Sequence, residues 1–145
     1  MKRIFPATLI ATAFLAFAAF AQEEGSDVES QGDTRIKNPV AEFSGLDKIT
    51  GRIISFDVYI DETVQFGALQ VTPRVCYSRP VSETPRTSGF VEVDEITLDR
   101  KIRRIFTGWM FADSPGLNAV EHPIYDVWLT ECKAKSEVPP PEDSE

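Results

Sequence analysis

One histidine and two cysteines are the side chains best equipped for chemistry here, and their surroundings decide how far each gets. His122 stands in Glu121-His122-Pro123-Ile124-Tyr125-Asp126, so an imidazole paired with the Asp126 carboxylate as the base of a small hydrolase is one reading. A triad also needs a nucleophile on a sharp turn beside an oxyanion donor, and no Gly-x-Ser-x-Gly or comparable string occurs. The other reading is a capping histidine that bonds the last carbonyls of a short helix before Pro123. Carboxylate pairs of glycosidase type would draw on Asp94, Glu95, Asp113, Glu121 and Asp126, whose separation in space a sequence does not give. A structural zinc takes about four His or Cys ligands and this chain has three such residues. No Asp-x-Asp-x-Asp-Gly run offers calcium its oxygen cage. The sequence therefore assigns no catalytic residue, no cofactor and no metal.

Cys76 and Cys132 are read through the N-terminus. Met1-Lys2-Arg3, an apolar run from Ile4 to Phe17 and Ala19-Phe20-Ala21 before Gln22 have the form of a secretory signal over residues 1–21. Pro6 and the small residues at Ala19 and Ala21 favour cleavage over the rival reading, a retained anchor. The expected location is periplasmic or secreted, with no integral membrane segment after cleavage. In an oxidising compartment an even pair of cysteines closes a bridge, and only Cys76–Cys132 is available. A redox role has no support, since nothing reads Cys-x-x-Cys.

Removing those 21 residues leaves 124, enough for one domain. They carry 13 basic and 23 acidic residues, a net charge of −10, which argues against nucleic acid and anionic lipid as partners. Residues 22–38 are acidic and polar and read as a flexible leader. Residues 133–145, with Pro139-Pro140-Pro141 among acids, read as an extended tail. The single domain is expected over 39–132.

Its elements follow from parity. Ile54, Phe56, Val58 and Ile60 alternate with polar residues, the pattern of a strand with one buried face. Val64 and Phe66 continue it, and Gly67-Ala68 shifts the apolar parity to Leu69, Val71, Val75 and Tyr77, which predicts a bulge or corner. Pro73 puts that ribbon at an edge or bends it. Phe90–Leu98 and Ile102–Phe111 flank Asp99-Arg100-Lys101 and read as a hairpin. Arg100, Lys101, Arg103 and Arg104 are the one basic cluster, either a solvated hairpin end that discourages edge pairing or a contact for an anion or acidic partner. Ser114-Pro115 predicts an N-capped helix of one or two turns through Val120. Ile124–Cys132 is apolar on both faces and suits a central strand. The expected fold is mainly β, a small antiparallel sandwich or barrel with one short helix.

Most aromatics belong in its core, but Trp109 and Phe111 alternate on one strand and share a face. If that face is outward, the platform suits a protein partner or a sugar ring.

The strings Gly108-Trp109-Met110-Phe111-Ala112-Asp113-Ser114-Pro115 and His122-Pro123-Ile124-Tyr125-Asp126-Val127-Trp128 resemble the exported bacterial family catalogued as domain of unknown function 2155. Val64-Gln65-Phe66-Gly67 and Val75-Cys76-Tyr77-Ser78-Arg79-Pro80 match it too, so the resemblance spans Asn38 to Cys132. It implies a periplasmic or secreted protein with both cysteines inside the family pattern, and no activity. The expectation is a non-enzymatic accessory domain that binds another envelope protein through Trp109, Phe111, His122, Tyr125 and Trp128. The alternatives are a module for a glycan or lipid-type ligand and, third, the small hydrolase.

Overall fold

The computed structural model describes residues 34–142, and the expected signal segment and most of the leader lie outside them. Nine strands follow in order among the described residues: β1 (Ile36–Lys37), β2 (Val40–Asp47), β3 (Arg52–Tyr59), β4 (Val64–Phe66), β5 (Leu69–Ser78), β6 (Ser88–Ile96), β7 (Ile102–Phe111), β8 (Val120–Glu121) and β9 (Tyr125–Lys133). They make two antiparallel sheets rather than a closed barrel. One runs β1-β5-β6-β7, with β4 also paired to β5, and the other runs β3-β2-β9-β8.

Period-two alternation builds the core between them. Val71, Val91, Val93 and Met110 from the first sheet meet Ala41, Phe43, Val58, Val127 and Leu129 from the second, all essentially without solvent contact. Phe43, Phe56 and Phe66 stack in sequence at 5.9 and 5.6 Å, which ties β2, β3 and β4 at one side of the sandwich. Cys76 on β5 and Cys132 on β9 are bonded, with Cα atoms 5.6 Å apart, so the bridge joins the two sheets.

The expected helix after Ser114 is absent. Leu117 N–H donates to the Ser114 carbonyl, a single turn, and the chain then extends into β8. Gly116 and Asn118 weaken a helix here, and the segment has to carry the chain from β7 in one sheet to β8 in the other.

Pro73 does not put β5 at an edge, because β6 flanks it on one side and β1 and β4 on the other. The ribbon bends instead, with a register shift between Pro73 and Val75 that leaves Arg74 as the extra residue. The corner at Gly67 is a tight turn with φ 58°, between β4 and β5. The central strand β2 was not legible beforehand, since Ala, Glu, Ser and Gly make up half of it and none favours a strand.

The fold also reaches into both expected tails. Ile36 and Lys37 pair with Ser78 and Tyr77, and Asn38 is buried, its side chain bonded to the Ile36 carbonyl and Ser78. Beyond β9, Ser136 Oγ bonds Asp57 at 2.5 Å and the Tyr59 hydroxyl donates to the Val138 carbonyl at 2.8 Å.

Candidate functional site

Which way β7 faces determines what it presents. Met110 points inward, so Trp109 and Phe111 point outward, as their shared parity predicts. The register then sets Trp109 opposite Phe90 and Phe111 opposite Ser88, which in turn faces Tyr77. Trp109 meets Phe90 edge-to-face at 5.6 Å and lies 6.3 Å from Tyr77 with nearly parallel rings. The Arg35 guanidinium sits 4.8 Å over the Tyr77 ring. Three strands thus contribute to one outward aromatic cluster, in which Trp109 is 36% exposed and the other rings are half-buried. Tyr77, Phe90 and Arg35 were missed beforehand because their membership depends on cross-strand register.

Along the same face the character changes to charge. Arg74, displaced outward at the bulge, bonds Glu92 at 2.8 and 3.0 Å and Asp61 at 3.1 Å. Arg104 bonds Asp94 at 2.6 Å and lies 3.1 Å from Glu92. Hydrogen bonding by Arg74 holds the Glu92 carboxyl below the ordinary glutamate range, and Arg104 is held cationic chiefly by Asp94. The outer face of this sheet is therefore an aromatic cluster bordered by a saturated ion-pair ladder.

The remaining expected surface residues lie elsewhere. Trp128 is on β9 opposite Ser44, on the outside of the second sheet and half-buried. Tyr125 packs at the sandwich end, edge-on to Phe66 at 5.5 Å and against the backbone of Gly67. His122 stacks on Tyr125 at 5.6 Å. The five residues expected to form one platform are separated: Trp109 and Phe111 share the outer face of the first sheet, His122 and Tyr125 stack at the sandwich end, and Trp128 lies on the second sheet.

His122 does not meet Asp126. Its Nε2 lies 2.9 Å from Glu95 Oε1 on β6, and its Nδ1 accepts the Ile124 N–H at 3.1 Å. An acceptor at Nδ1 leaves Nε2 as the protonated nitrogen, so the ring donates to Glu95 and has no lone pair left for a general base. Asp126 instead lies 2.7 Å from Lys48 Nζ. Hydrogen bonds from His122 and then Arg103 hold the Glu95 carboxyl below the ordinary glutamate range. The cluster is a cross-sheet tie.

No group of three or more His, Cys, Asp or Glu side chains able to hold a metal occurs among the described residues. A groove of about 780 Å³ runs between the C-terminal segment and β3 and is lined by Phe56, Asp57, Val64, Lys133, Ser136 and Val138 among others. Neither tryptophan lines it.

Comparison with known proteins adds a family. The model of an uncharacterized protein family conserved in bacteria, DUF2155, matches residues 41–132. The chain is 25% identical over 87 residues to the uncharacterized protein RP359 of Rickettsia prowazekii (strain Madrid E), an overlap of 60% of this chain and 56% of that protein. The chain thus spans about half the length of this curated relative. No solved structure matches.

Proposed function

Because the chain belongs to DUF2155, an uncharacterized bacterial family, we propose from its own surface that it is a non-enzymatic, exported accessory domain that docks onto another protein of the cell envelope. The observation that carries this reading is Trp109, set outward among Phe90, Tyr77 and Phe111 and bordered by the Arg74–Glu92–Arg104–Asp94 ladder. An aromatic centre within a charged rim is the anatomy of a protein interface, and tryptophan, tyrosine and arginine dominate the energetics of such surfaces. The export-type N-terminus and the bonded cysteine pair support a location outside the cytosol. A ligand module would be better supported by a groove lined by Trp109 or Trp128. A hydrolase would be better supported by a histidine with a lone pair to spare.

The test is capture from an envelope extract with the wild-type protein and with Trp109→Ala. A stoichiometric partner whose affinity falls by about 30-fold or more on the substitution supports the reading. A partner retained equally by both proteins, or none from gently solubilised envelopes, overturns it.

A further inference from the structure

Two turns meet at one end of the sandwich, and Ile124 is the joint between them. Residues 48–51 connect β2 to β3, and residues 122–124 connect β8 to β9. Lys48 N–H donates to the Ile124 carbonyl at 2.8 Å, and Lys48 Nζ to the His122 carbonyl at 2.9 Å. The Ile124 N–H is taken up by His122 itself, which accepts it at Nδ1 across 3.1 Å.

That last bond has a fixed polarity. A backbone amide only donates, so Nδ1 offers its lone pair and the ring is neutral, with its one proton on Nε2 facing Glu95 at 2.9 Å. An imidazolium has a proton on both nitrogens and accepts nothing. Protonation therefore strengthens the bond to Glu95 by adding charge, but sets Nδ1–H against the Ile124 N–H. Two donors do not remain 3.1 Å apart. Glu95 and the Tyr125 ring, stacked at 5.6 Å, hold the imidazole in place with only 10% of its side chain exposed, so the turn yields rather than the ring.

Charge around the ring is close to balanced. Glu95 faces it from β6 with Arg103 of β7 on the same carboxylate, Lys48 of the β2–β3 turn is paired with Asp126 of β9, and Glu121 of β8 is exposed to solvent. Among the described residues the ring's hydrogen bonds are those to Glu95 and Ile124. Glu95 is held below the ordinary glutamate range by His122 and then Arg103, and so stays an anion while a histidine changes charge.

We propose that His122 is a proton-operated latch: neutral, it holds Ile124 and through it the junction of the two turns, and protonated, it releases the Ile124 N–H and opens that junction while its tie to Glu95 keeps the sheets together. The junction is complete on the alkaline side of the ring's titration and is lost as pH falls through it. The change is local. It leaves the Trp109 surface, further along β7, in place.

The experiment follows the isotope-labelled full chain by NMR and amide hydrogen exchange between about pH 8 and pH 5, with His122→Asn beside the wild type. Ring-nitrogen shifts report protonation of His122. An asparagine carbonyl accepts the N–H two residues on, as in an Asx turn, and does not titrate. The expected result is a ring that takes up a proton in this range while protection of the Ile124 and Lys48 amides, corrected for intrinsic exchange, falls about ten-fold or more at the same midpoint. The amides of β2, which has partners on both sides, keep their protection, and in His122→Asn the Ile124 and Lys48 amides keep theirs too. A ring that titrates while Ile124 is unaffected, a ring that does not titrate in this range, or an equal loss in His122→Asn overturns the proposal. A parallel loss throughout β2 also overturns it, since the whole sandwich would then be loosening. Where the variant fails to fold, agreement or disagreement of the wild-type ring and amide midpoints decides.

Discussion

His122 Nε2 donates to Glu95 across 2.9 Å, so the chain's one histidine fastens the β8–β9 turn of one sheet to β6 of the other. Both side chains are largely withdrawn from water, and Arg103 closes on the same carboxylate at 2.5 Å. The arrangement turns a residue that reads as a candidate base into a structural donor.

An acid-dependent loss of stability follows. Glu95 titrates below its ordinary value of about 4.3 in the folded state, so its contribution is complete above that pH and is lost as pH falls through the depressed folded value. Glu92, Asp47 and Asp99 are depressed too and steepen the same limb. Glu95→Gln should lower the thermal midpoint near pH 7 and flatten its decline between pH 5 and pH 3, by about one carboxylate's share. Identical wild-type and variant slopes would show that the tie contributes nothing.

The Cys76–Cys132 bridge closes a loop of 56 positions between the two sheets. Loop-closure entropy for that length is worth about 4 kcal/mol, and in a domain of about 100 residues this corresponds to a fall in midpoint of more than about 10 °C on reduction. The paired Cys76→Ser and Cys132→Ser variant should melt at the reduced wild type's temperature. A reductant-insensitive midpoint would contradict the role given to the bridge.

Gly67 tests how tightly the Tyr125 end of the sandwich is packed. Its φ of 58° disfavours a side chain, and a Cβ there would overlap the Tyr125 ring on which His122 stacks. Gly67→Ala should cost about 2 kcal/mol or more in denaturant unfolding, because strain and overlap act together. Gly51→Ala, at φ 70° with open space around it, carries the strain alone and should cost less. Equal costs would remove the Tyr125 contact from the account.

The C-terminal segment divides within a few residues. Truncation after Cys132 removes the Lys133 ion pairs with Glu42 and Asp57, the Ser136–Asp57 bond and the Tyr59–Val138 bond, and should cost about 1–3 kcal/mol. Truncation after Val138 removes, among the described residues, only the exposed residues 139–142 and should leave the unfolding midpoint within error. A large loss from the shorter truncation would mean that the proline triplet contributes contacts of its own.

The amino-acid sequence by itself determined what is local in this protein. Alternation in Ile54–Ile60 and Phe90–Phe111 sets which side chains share a face, Gly67 places a corner, and the strings around Trp109 and His122 place the chain in its family. Tertiary structure decided everything that depends on which strands become neighbours. Cross-strand register brought Tyr77 and Phe90 to Trp109, sheet stacking set Glu95 rather than Asp126 against His122, and the crossing between sheets stretched out a segment that reads as a helix. Strand β2 shows why: its weak β-formers are held by two partners and a buried face, and such long-range pairing energy leaves no local trace in the chain.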